Sequence, residues 1–153
     1  MIGGGHNNDP NAAVLKTTEI INLNGATKYG PPLPWEFYEH CVAMMVAQYV
    51  IIVGGFFHPT STLIVDTFNF EAMFEGPQLA GEGRTGHACE HIKHSNGSNY
   101  VIVVGGYEQL LDGSNNYLMN SLILNVNDNE PLHSTWSAGK VTLTPLIGVV
   151  WSC

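Results

Sequence analysis

Histidine and cysteine recur together in this chain, as His40-Cys41 and as His87-Ala88-Cys89, with His91 and His94 close behind. These side chains are common zinc ligands, and an imidazole beside a thiol can generate a nucleophilic thiolate. Residues two apart in a strand share a face, so His87 and Cys89 are expected to point the same way. A metal site, however, needs three or four converging ligands, and no Cys-x-x-Cys pair is present. A catalytic thiolate needs a stabilising setting and a third, orienting group. The pair recurs at corresponding places in the chain, which favours small cysteines packed in a repeated core. No catalytic residue, metal ligand or cofactor is therefore assigned.

Two other short motifs carry possible chemistry. Gly3-Gly4-Gly5 lacks the Gly-Lys-Ser/Thr of a phosphate loop and has no helix in view to supply an N-terminus. Asn96-Gly97-Ser98 matches the acceptor sequon for N-linked glycosylation and sits in a polar segment.

Composition narrows the choice of partner. The 153 residues carry a net charge of −8, with Arg84 as the sole arginine and Lys16, Lys28, Lys93 and Lys140 scattered singly. Nucleic acids and anionic membrane surfaces are held by clustered cations, so neither is an expected partner. No run of 18 apolar residues exists, and membrane insertion by a helix is not expected. Cys41, Cys89 and Cys153 are odd in number and widely spaced, unlike a disulfide framework. Read as unpaired, they fit a reducing interior. That tips the expectation slightly towards an intracellular protein, while the sequon leaves a secreted parent open.

The organising feature is a repeat. Tyr49-Val50-Ile51-Ile52-Val53-Gly54-Gly55 and Tyr100-Val101-Ile102-Val103-Val104-Gly105-Gly106 lie 51 residues apart, and Gly4-Gly5 lies 50 residues before Gly54-Gly55. Alternating apolar segments follow each diglycine, at Thr18 to Leu23, Leu63 to Phe70 and Met119 to Val126. Asn22, Asn69 and Asn125 sit near their ends; Tyr29, Phe74 or Trp136 follows, then a glycine turn at Gly30, Gly76 or Gly139. A period near fifty residues marks a stacked repeat architecture.

The run Val50 to Val53 is apolar and β-branched throughout, which predicts a strand covered on both faces. The same holds for Val101 to Val104. The segments after the diglycines alternate and are expected nearer a sheet edge. Strands at about His40 to Val46, Tyr49 to Val53, Leu63 to Phe70 and Met73 to Glu75 predict an all-β chain of four-stranded antiparallel blades. One blade cannot bury both apolar faces alone and must stack on a neighbour. Glycine pairs suit the crowded ends of such strands.

These residues resemble the kelch-repeat family, whose motif is an apolar strand ending in Gly-Gly followed by a spaced Tyr and Trp. The resemblance implies a kelch-type β-propeller. Its units are an incomplete first blade at 1–36, a second at 37–84, a third at 85–144, and the first strand of a further blade at 145–153. Propellers close with about 4 to 8 blades, so about three would form an incomplete ring. In such propellers the loops after the diglycines and those joining blades line a shared binding face. Here they are Phe56 to Thr62 and Tyr107 to Asn116, with His6 to Ala13 equivalent. Phe57, His58, Tyr107, Asn115 and Asn116 are the candidate binding residues, suited to a neutral or mildly basic protein partner. The expectation is a non-catalytic protein-binding scaffold. The alternatives are a propeller-based oxidase-like enzyme, with His6, His58 and Tyr107 as conceivable copper ligands, and a non-functional partial gene product.

Overall fold

The computed structural model describes residues 2–3 and 15–139. The diglycine Gly4-Gly5, the loop from His6 to Ala13 and the expected strand at 145–153 lie outside the described residues. The chain is all-β, with a single short 3-10 turn at Pro131–His133 among the described residues. None of its described helices is long and apolar enough to cross a membrane.

A three-stranded sheet comes first, from β1 (Ile2–Gly3), β2 (Thr18–Ile21) and β3 (Thr27–Tyr29) in that order. A four-stranded antiparallel sheet follows, with β4 (Cys41–Met44), β5 (Tyr49–Val53), β6 (Thr62–Asp66) and β7 (Met73–Glu75) side by side. Next come β8 (Ala88–Lys93), β9 (Asn99–Val104), a separate hairpin of β10 (Tyr107–Gln109) and β11 (Asn115–Tyr117), then β12 (Ser121–Asn125) and β13 (Thr135–Ala138). Strands β8, β9, β12 and β13 form a second four-stranded antiparallel sheet with the same meander order. The β10–β11 hairpin is an insertion between its second and third strands. The segment from Tyr107 to Asn116, expected as loop, is largely hairpin.

Cross-strand register shows how closely the units match. Gly3 pairs with Thr18, Val53 with Thr62, and Val104 with Ser121. Each hydroxyl residue then receives the backbone N–H of the turn glycine on its carbonyl, Gly30 to Thr18 at 2.9 Å, Gly76 to Thr62 at 2.9 Å and Gly139 to Ser121 at 2.8 Å. The Thr18 and Thr62 hydroxyls close the turn by donating to the carbonyls of Pro31 and Pro77.

Two markers do not hold this register. Counting from the shared pair, Asn22 and Asn125 correspond to Asp66 rather than to Asn69. The Asp66 carboxylate accepts the N–H groups of Phe68 and Asn69, ending β6 in a turn well before Phe70. The aromatic also drifts. Tyr29 lies one residue before the turn glycine, Phe74 two and Trp136 three, and Tyr29 is exposed. Only Trp136 packs on the main core, and its indole N–H reaches the Pro77 carbonyl at 2.8 Å.

The core lies between the two four-stranded sheets. Ala43, Ile51, Val53 and Ile64 from one meet Val101, Val103, Leu122 and Leu124 from the other. The opposite face of the first sheet, with Ile52, Leu63 and Val65, is covered by Leu33 and Phe37 from the preceding linker. Strand β6 is therefore an interior strand, buried from Thr62 to Val65, not the edge-like element its alternation suggested.

Cys41 and Cys89 form a disulfide across the core interface, with 5.9 Å between their Cα atoms. This corrects the reading of the cysteines as unpaired. The physical reason is a register offset. Cys41 lies opposite Val53, just before the diglycine, whereas the residue opposite Val104 is Ala88 and Cys89 is one place further on. One step along a strand flips the side chain to the other face. Successive stacked sheets confront each other with opposite faces, so the offset aims the two sulfurs at one another.

Candidate binding face

The diglycines organise one end of both sheets. Gly54 takes a φ of +58° and Gly106 one of +88°. A Cβ on Gly54 would lie 2.5 Å from the Arg84 carbonyl oxygen, and one on Gly106 would lie 2.7 Å from that of Thr85. Both the backbone conformation and the close approach demand glycine. The space is taken by the linker at residues 84–87, threaded between the two sheets. Gly55 N–H donates to the Arg84 carbonyl at 2.9 Å, and Thr85 and Tyr107 exchange both backbone hydrogen bonds at 2.9 Å.

Arg84, only 1% exposed, locks this linker. Its guanidinium donates to the carbonyls of Gly105 at 2.9 Å and Asn120 at 3.2 Å, and to the Asn120 side-chain oxygen at 2.5 Å. Burial lowers its pKa, but a guanidinium stays protonated in proteins. The single arginine is thus a structural clamp holding three oxygens. Its solitude in an acidic sequence was the available signal, and the sequence reading passed over it.

His87 follows in the same linker and is buried. Burial drives its pKa down to about 4, and the charge of the nearby Arg84 pushes the same way. His40 is lowered too, by burial. Both cysteines of the candidate His-Cys pairs are spent in the disulfide, so neither offers a thiolate. Among the described residues no three His, Cys, Asp or Glu side chains converge as metal ligands.

The linkers and loops together present an aromatic ladder. Phe57 packs edge-on against Phe56 with ring centres 5.2 Å apart, and Phe56 meets Tyr38 at 6.2 Å. Glu39 adjoins Tyr38, and its backbone takes a φ of 53°, unusual for a non-glycine residue. Its carboxylate accepts the Tyr107 hydroxyl at 2.6 Å, and Tyr107 packs against Tyr117 at 6.2 Å. Desolvation and the hydrogen bond to Glu39 push Tyr107 up to about 12, while the Glu39 carboxylate also raises Tyr38. Both phenols stay protonated at neutral pH, as fixed donors. Phe57 and Tyr117 are exposed, as are Leu110 and Leu111 at the hairpin tip.

The five candidate residues separate accordingly. Phe57 and Tyr107 belong to the ladder. Asn115 and Asn116 lie exposed on β11, opposite Gln109 and Glu108. His58 turns away. Its ring packs at a tilt against Trp35, with ring centres 5.4 Å apart, and lines a separate hollow of about 260 Å³ with Ser61, Glu75 and Gln78. His58 and Tyr107 therefore do not meet as the copper reading would require, and His6 lies outside the described residues. The ladder residues Tyr38, Glu39 and Tyr117 were missed because they come from the blade-joining linker and the far arm of the hairpin.

What fold and face define is a class: an all-β protein of stacked four-stranded antiparallel sheets with an aromatic, acidic loop face. No protein-family profile matches the chain, and comparison with curated proteins gives no match.

Proposed function

We propose that the chain supplies kelch-type β-propeller blades to a non-catalytic scaffold that binds another protein through its diglycine end. One observation carries the reading. Linkers 37–40 and 84–87, the loop after Gly54-Gly55 and the β10–β11 hairpin are hydrogen-bonded into one surface, which exposes Phe57, Leu110, Leu111 and Tyr117. Exposed aromatic and aliphatic side chains on rigid elements are the usual anchors of protein interfaces. Glu39, Glu108 and Asp112 on the same end suit a partner with basic groups around an apolar centre. The blade assignment is supported by the repeated meander, the fixed pairing of Thr18, Thr62 and Ser121 with their turn glycines, and the mutual burial of the two four-stranded sheets.

The test is position-specific photocrosslinking in the source cells, with benzoylphenylalanine replacing Phe57, Tyr117 or Phe68. Phe68 is more exposed than either but lies in the β6–β7 turn, at the other end of the sheets. Protein adducts concentrated at positions 57 and 117 are expected. Adducts concentrated at position 68, or equal at all three, would overturn the proposal.

A further inference from the structure

Two features of the chain take no part in the proposed partner contact, and the first lies in the β8–β9 hairpin turn. The sequon Asn96-Gly97-Ser98 forms its tip. Asn96 and Gly97 are exposed, and the turn is closed by the His94 N–H donating to the Ser98 carbonyl at 2.8 Å. The Asn96 side-chain oxygen accepts the Ser98 N–H at 3.0 Å. No hydrogen bond within the described residues engages the Asn96 side-chain nitrogen, the atom to be modified. The tip stands at the end of the sheet opposite Gly105-Gly106, since Lys93 and Asn99 pair at one end of the β8–β9 ladder and Ala88 and Val104 at the other. A large substituent there would leave the diglycine end open.

The second observation is the Cys41–Cys89 disulfide, which ties β4 to β8 across two repeats. Structural disulfides persist in secreted, lumenal and cell-surface proteins and are rare where thiols are kept reduced. The compartments that maintain such a bond include the one in which sequons are glycosylated. The sequon and the disulfide are independent features of the chain, and both point to the same route.

We propose that Asn96 carries an N-linked glycan, added during passage through an oxidising secretory compartment. In the transfer, the Asn96 amide nitrogen bonds to the anomeric carbon of a lipid-linked oligosaccharide. The bond from that carbon to the lipid diphosphate oxygen breaks, one amide proton is lost, and the lipid diphosphate leaves. The Ser98 hydroxyl is the part of the acceptor that the transferring enzyme requires.

The experiment takes the protein from its natural source and maps its peptides without reduction, before and after N-glycosidase digestion in heavy-oxygen water. The expected result is position 96 recovered as heavy-labelled aspartate, together with a Cys41–Cys89 crosslinked peptide. Recovery of position 96 only as unmodified asparagine overturns the proposal, and so does finding Cys41 and Cys89 as free thiols. In a secretory host, Ser98→Ala should abolish the single glycan-dependent mobility step and Ser98→Thr should keep it. Retention of that step in Ser98→Ala would equally overturn it. This test does not depend on the binding face, which is probed at other residues.

Discussion

Ile51 and Ile102 are the same residue at the same place in two copies of one sheet. Ile51 lies opposite Ile64, two places beyond Thr62, and Ile102 lies opposite Ile123, two places beyond Ser121. Ile51 is fully buried, whereas Ile102 is only half-buried. The first sheet is covered on one side by the second sheet and on the other by Leu33 and Phe37. The second sheet is covered on one side only among the described residues. On the other, Ile92, Ile102 and Val104 line an apolar groove of about 400 Å³. The burial of β5 and β9 is thus set by their neighbours, not by their own near-identical residues. That is the behaviour of a stack, in which each unit draws its stability from the next.

The sharpest way to break the comparison is to truncate both residues. Ile51→Ala should cost about 4 kcal/mol, as full truncation in a packed interior does, and Ile102→Ala about 1 kcal/mol. Urea denaturation of the two variants measures both. Equal losses would mean that the second sheet is as well covered as the first.

The link between the sheets is tested next. Replacing both Cys41 and Cys89 by alanine removes the bond that closes a sequence separation of 48 residues. A loss of about 4 kcal/mol is expected from the freed unfolded chain, read as a lowered denaturation midpoint.

Acid probes the linker threaded between the sheets. His87 has a folded pKa of about 4 against an unfolded value of 6.5, so the unfolded chain takes up its proton first. Stability should therefore fall as pH drops from 6.5 towards 4, by about 3 kcal/mol at the lower end. In His87→Gln that slope should flatten over the upper part of the range, above the pKa values of most carboxylates. A slope unchanged in the variant would show that His87 takes up its proton as readily in the fold as in the unfolded chain.

The smallest effect is expected at the face itself. Tyr107→Phe removes one hydrogen bond to a charged but partly solvated carboxylate and should cost about 1 kcal/mol. In a spectroscopic titration the phenolate signal rising near pH 12 should vanish with it.

Much of this was legible in the residues. The fifty-residue period, the β-branched runs at Val50 to Val53 and Val101 to Val104 and the diglycines locate β5 and β9 and their companions to within a few residues. The Thr18, Thr62 and Ser121 pairings went unseen because their distances to the turn glycine, 12, 14 and 18 residues, vary with the intervening turn. The β10–β11 hairpin hid in a polar segment because its strands are short and exposed.

The disulfide and the aromatic ladder mark the boundary between the two kinds of information. Local sequence determined the inner strands of the two four-stranded sheets and where the chain turns after them, because alternation, β-branching and glycine act over a few bonds. Only the tertiary structure decided that a one-residue offset brings Cys41 to Cys89. It likewise decided that Glu39 meets Tyr107 across 68 positions of sequence. Both meetings depend on which face of one sheet confronts the next, and that is settled only when the sheets stack.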